Sequence, residues 1–271
     1  MNYNQRRTYH QNWHRLLRTY EKKYLPRVLK ALEGEAKRFI AEAERVGFQS
    51  AFRTFGLVNP QLLAVINQMH KEVGTKFGKD VNRYLTRTQK ISFFNANFIL
   101  NLIEILSRQA LELLTAVETA TKNKILEILN RSQVEQLSFV DTSRLITQQV
   151  ASPERALTIT RTESNRAANI AAFEAARLQP YEVTKEWISV IDDRVRRYRE
   201  KDEYDHAVLD GQVRELDESY QQVGRTKGII ANAQYPLDAQ APAAFTINCR
   251  CVLGFENKRD SQGRLIPKRN I

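Results

Sequence analysis

Apolar side chains recur every third or fourth residue across most of the first half of this 271-residue chain, and no other feature limits its fold so tightly. One stripe runs through Trp13, Leu16, Leu17, Tyr20, Tyr24, Val28, Leu32, Phe39 and Ala43. A second takes in Leu63, Ile66, Met69, Val73, Phe77, Val81 and Tyr84. A third runs through Phe94, Phe98, Ile99, Leu102, Ile103, Leu106, Ala110, Leu113, Leu114 and Val117, followed by Ile125, Leu126, Ile128 and Leu129. A period near 3.6 puts such residues on one helix face, so each stripe predicts a long helix with a core-facing seam. Pro26 lacks the backbone donor a helix interior needs and is expected to kink or restart the first helix. VGFQSAFRTFGLVNP (46–60) reads as a connection, with Asn59 as N-cap and Pro60 in the first helical position. The seams hold more apolar residues than a two-helix hairpin needs, which points to an exposed patch for a partner.

The pattern changes in the second half. Ser152 followed by Pro153 starts a helix expected to stop before Pro180, with Thr162, Arg166 and Asn169 on one face and Arg161 and Asn165 sharing another. Surface salt bridging is enough to account for Arg161 and Glu163 on that helix. YEVTKEWISVI (181–191) alternates like a strand, and the densely charged stretch after it ends in an Asp-Gly turn at Asp210 and Gly211. The expected class is α+β: a helical N-terminal region, then a small mixed module with one long helix and a short sheet. Boundaries are expected at 1–150, 151–256 and a tail at 257–271, with the C-terminal module folding without the first half.

Charge divides the chain the same way. Residues 1–150 carry 23 Lys and Arg against 13 Asp and Glu, residues 151–256 carry 14 against 17, and the tail 5 against 1. A basic excess confined to the helical half and the tail suits sequence-independent contact with DNA, and equally suits a solvated helical surface. No apolar run nears the roughly 18 residues that span a bilayer, so no membrane is expected. The start of the chain lacks the apolar core of a signal peptide, and cysteine is scarce, so folding in a reducing cytoplasm is expected.

The two cysteines, Cys249 and Cys251, stand one residue apart in FTINCRC. If Thr246 to Phe255 is a strand, both project from one face with Cα atoms roughly 6.6 Å apart, the outer limit for a disulfide. That leaves two readings: two thiols packed in a core, or two thiolates sharing a metal ion. His10, His14 and His70 lie on helical stretches without carboxylate or hydroxyl partners nearby in sequence, and read as surface or seam residues.

Five motifs follow one another in the second half: Arg161-Thr162-Glu163, Lys185-Glu186-Trp187, Asp192-Asp193-Arg194-Val195-Arg196, His206 through Leu209-Asp210-Gly211-Gln212, and Asn248-Cys249-Arg250-Cys251. In that order, over about residues 153–256, they resemble the phage head morphogenesis family of Mu protein F-like minor head proteins. One departure is the charged stretch from Arg197 to Asp205, which looks like an insertion before the histidine. The resemblance implies a virion protein in few copies, acting at or near the portal in head assembly and in DNA packaging or delivery. Its implied partners are the portal protein, other head proteins and DNA, and it would pass through the host cytoplasm during assembly.

Two enzymatic readings compete. Arg161, Thr162 and Glu163 loosely resemble an ADP-ribosyltransferase signature, but consecutive helical residues diverge by about 100° and cannot converge on one substrate. A metal-dependent nuclease would use His206, Asp192 or Asp193 and the cysteines. Thiolate ligands favour zinc and structural closure over catalytic magnesium, so no catalytic residue is expected. A structural zinc on Cys249, Cys251, His206 and one of the two aspartates is the cofactor this pattern allows.

Overall fold

The computed structural model describes residues 1–56, 59–87, 95–189, 192, 194–198 and 202–268. Phe94 of the third stripe and Asp193 of the arginine turn lie outside them. The first stripe is one continuous helix, α1 (Tyr3–Val46), which runs through Pro26 without restarting. A proline inside a helix costs about 3 kcal/mol. Burial of Leu17, Tyr24, Val28, Leu32 and Phe39 on both sides of it, at about 1.5–3 kcal/mol for each large side chain, outweighs that cost.

The connection at 46–60 is not wholly irregular. It contains α2 (Phe48–Thr54), whose Ala51 is buried. As expected, α3 (Pro60–Thr86) is capped by Asn59, whose Oδ1 accepts from Leu62 N at 3.0 Å. The third stripe and the segment after it form a single helix, α4 (Ala96–Val134). The sequence reading missed α5 (Phe139–Val150), capped by Ser138. α6 (Pro153–Arg177) starts where Ser152 predicts, the serine Oγ accepting from Arg155 N at 3.1 Å. Among the described residues no helix is long and apolar enough to cross a membrane.

The chain gathers into two compact units, one of Met1–Tyr20, His70–Leu106 and Thr162–Ile271, the other of Glu21–Met69 and Ser107–Arg161. The change of texture near residue 150 is thus a boundary in the sequence, and segments from both sides of it enter each unit. The second unit is helical, with a core of Ala36, Phe39, Ala43, Ala51, Ile125, Ile128, Leu129, Ile146 and Val150. Within it, Asn59 donates to Glu35 at 3.1 Å through its side chain and to Glu118 at 2.8 Å through its backbone. Burial raises both carboxyls above their ordinary range, against these hydrogen bonds.

The first unit holds the sheet. β1 (Val183–Ile188) is central, antiparallel to β2 (Val213–Glu215) on one side and β5 (Val252–Asn257) on the other. Trp187 lies opposite Leu253, and Lys185 opposite Phe255 and Arg214. β3 (Tyr220–Val223) and β4 (Ile230–Ala233) pair separately. Helices with a small antiparallel sheet make the protein α+β, as expected. The strand expected from Thr246, however, begins only at Val252. The short helix α7 (Ala243–Thr246) and Asn248, at φ 59°, turn the chain first. Cys249 and Cys251 therefore sit in a loop leading into β5, a position whose left-handed turn asparagine tolerates better than most residues.

Candidate functional site

That loop is held by a polar face of α6. Thr162, Asn165 and Asn169 follow one another at steps of three and four, the spacing that aligns side chains along one side of a helix. Thr162 Oγ1 accepts from Asn248 N at 2.9 Å. Asn165 Nδ2 donates to the carbonyls of Cys249 and Cys251, both at 3.1 Å, while its Oδ1 accepts from the Trp13 indole at 3.0 Å. Asn169 donates to Cys251 O at 3.3 Å and accepts from Leu253 N at 3.1 Å. From α1, His10 and His14 each bring Nε2 to Arg250 O at 2.8 Å. A carbonyl only accepts, so each of these nitrogens carries its hydrogen. Burial depresses His10 to about 4 and His14 to about 3, so both are neutral imidazoles near pH 7.

Held this way, the two cysteines meet His206, which lies just before the 3-10 turn Ala207–Leu209. Its Nδ1 is 3.3 Å from Cys249 Sγ and 3.5 Å from Cys251 Sγ, and all three side chains are buried. Both thiols are free. Burial works against either thiolate. At Cys249 the hydrogen bond with Cys251, together with His206 and Arg196, overcomes it and brings the thiol well below its ordinary range. Cys251 is pushed well up by burial and by the neighbouring Cys249. The trio is walled by aromatic rings: Phe245 lies 4.5 Å and Trp187 5.8 Å from the His206 ring, centroid to centroid.

The remaining motif residues frame this centre instead of joining it. Asp192, expected as a candidate ligand, pairs with Arg250 at 2.6 Å and accepts from Arg194 N at 2.9 Å. Two guanidinium groups on its own loops offer it more than a place beside two thiolates would. Arg194 is otherwise exposed. Arg196 donates to Phe245 O at 3.0 Å and also to Ile247 O, tying the arginine turn to α7. Asp210 accepts from Ser189 N at 2.8 Å and lies 3.5 Å from Arg6. Gly211 has φ 78°, and a Cβ there would stand 3.2 Å from the Arg6 guanidinium. On β1 both faces are largely covered, and Lys185 and Trp187, which share one of them, are fully buried. Lys185 Nζ donates to Leu216 O at 2.9 Å and to Gln234 at 2.7 Å, and burial lowers it to about 8.

Arg161, Thr162 and Glu163 part company, as their consecutive placing requires. Arg161 lies 3.7 Å from Glu21 in the helical unit, and Thr162 serves Asn248. Glu163 is fully buried, so the surface salt bridge expected of it is replaced by an internal network. It bonds Arg166 at 2.7 Å and His70 Nε2 at 3.1 Å. Arg166 donates onward to Leu237 O at 2.9 Å, and His70 Nδ1 to Leu106 O at 3.2 Å. His10 and His70 are buried, as seam positions are, but each bonds a polar partner far away in sequence. Only the four-residue step from His10 to His14, which puts both rings on one helix face beside Trp13, hinted at a shared partner.

A family model described as phage Mu protein F like protein matches residues 118–254. The match starts inside α4, earlier than the motifs alone suggest, contains α6, β1, β2 and the cysteine loop, and ends within β5. No curated protein and no solved structure matches the chain.

Proposed function

The chain belongs to the phage Mu protein F-like family, and from that premise we propose that it is a minor head protein acting in head morphogenesis at or near the portal, with a part in DNA packaging or delivery. The observation that carries this reading is the family match over the whole motif-bearing segment, 118–254. Its partners are the portal protein, other head proteins and DNA, met through the basic residues of the first half, and its place is the virion.

The chemistry of the motif residues supports a structural role. Thr162, Asn165, Asn169, Glu163 and Arg166 turn their polar atoms to buried partners within the first unit, instead of lining a cleft for a substrate. Arg161, Thr162 and Glu163 share no site, which removes the support for a transferase. Asp192 is engaged by Arg250, which weakens a nuclease built on it.

The test is a phage in which this gene carries a nonsense codon. Heads made without the protein are expected to form with normal shell protein but to yield far fewer infectious particles, restored by supplying the chain in trans. Particles of undiminished infectivity would overturn the proposal.

A further inference from the structure

Six polar side chains, three on α6, two on α1 and Asp192, are committed to fixing the backbone or the arginine of a four-residue loop whose other side chains include two cysteines. Packing of two small thiols would not require such positioning. We propose that Cys249, Cys251 and His206 form a zinc-binding centre, with the metal held by both Sγ atoms and His206 Nδ1. The centre does not depend on the head assignment.

The distances suit the ion. With zinc at about 2.3 Å from sulfur and about 2.0–2.1 Å from nitrogen, a tetrahedral site separates S and N by about 3.5 Å. The observed separations are 3.3 and 3.5 Å, and all three donor atoms lie within 4.8 Å of one another. The donor set is also selective. Two thiolates and an imidazole favour zinc and disfavour magnesium or calcium, which prefer oxygen. Carbonyls and amides around the loop orient the sulfurs before the metal arrives, the role such surrounding hydrogen bonds play in metal sites generally.

Asp192 is engaged elsewhere, so among the described residues three ligands come together. Beside the trio lies a cavity of about 180 Å³, lined also by His10, Asp202 and the arginines Arg194, Arg196 and Arg250. That space admits the ion and a water molecule to complete the tetrahedron. Zn2+ enters as the thiol protons leave for solvent; no electron is transferred, and two thiolates balance the ion's charge. The metal would join the segment before the Ala207–Leu209 turn to the loop before β5, two parts of the first unit some forty residues apart.

The full-length chain, purified in reductant without chelator, is expected to carry close to one equivalent of zinc. After metal removal, titration with Co2+ is expected to give sulfur-to-cobalt charge-transfer absorption and the intense visible bands of a tetrahedral ion. Cys251→Ser is expected to weaken metal binding more than about 100-fold, beyond the cost of losing an orienting hydrogen bond. Should that variant misfold, the unmodified chain decides: its melting temperature is expected to fall on chelation and to recover on adding Zn2+, and an unchanged melting temperature would count against the proposal. Less than about a tenth of an equivalent of zinc, with no charge-transfer absorption from the folded chain on adding Co2+, would overturn the proposal. So would Co2+ binding that Cys251→Ser leaves unchanged.

Discussion

Acidification should loosen the cysteine loop through His10 and His14, by an amount that follows from their burial. Both are held neutral in the folded chain, with values of about 4 and about 3 against an ordinary 6.5. The causes differ slightly. At His10 burial leads, opposed by the Arg250 carbonyl, Asp192 and Cys249 and aided by the Arg250 charge. At His14 burial leads again, aided by His10, Arg250 and Arg18. Below about pH 6.5 the unfolded chain takes up protons that the folded chain refuses, so stability falls as pH falls. It is fully present above that value and is lost progressively down to about pH 3 to 4. At about pH 5 each histidine in the unfolded chain is about 1.5 pH units below its midpoint, which amounts to about 2 kcal/mol per site and about 4 kcal/mol for the pair. Asp210, raised by burial, works in the opposite direction and trims the total. Urea unfolding at about pH 7.5 and about pH 5 measures the difference, read by tryptophan fluorescence. Trp13 and Trp187 are the two tryptophans, both buried in the first unit. His10→Gln with His14→Gln should remove most of the pH dependence. An undiminished dependence in the double variant, or none in the parent, would refute the reasoning.

Three further outcomes are expected. Glu163→Ala leaves Arg166 charged and buried without its partner and should cost about 3–5 kcal/mol in urea unfolding; a loss below about 1 kcal/mol would contradict the internal network. Residues 1–20 belong to the same unit as 162–271 and supply Trp13, His10 and His14, so deleting them should abolish cooperative unfolding of that unit; an unchanged melting curve would show that the C-terminal part closes without them. The full-length chain should bind duplex DNA without sequence preference, its affinity falling steeply as salt rises; a slope near zero in log affinity against log salt would exclude phosphate contact.

Much of the helical framework could be read from the sequence because its determinants are local. A 3.6-residue apolar period and a Ser-Pro start need no knowledge of what packs against them, and α3 and α6 begin where Asn59 and Ser152 say. Pro26 does not end α1, because burial on either side of it outweighs the local penalty. The strand weighed for Thr246 to Phe255 gives way to a loop because the turn at Asn248 depends on a hydrogen bond from its backbone N to Thr162 Oγ1, 86 residues away. The same distance effect hid the histidines. His70 meets Glu163 across 93 positions, and His10 meets Arg250 across 240. His206 and the two cysteines were joined by residue type alone, and the structure brings them together. Asp192 had the right chemistry for that group, but Arg250, one residue from each cysteine, holds it.

Membership of the phage head is tested by purified, DNA-filled particles. Quantitative mass spectrometry of such particles, paired with an asymmetric cryo-EM reconstruction, measures whether the chain is present, in how many copies and where. The expected result is a few copies per particle with helical density at the portal vertex. Particles of full infectivity containing none of the chain would contradict it.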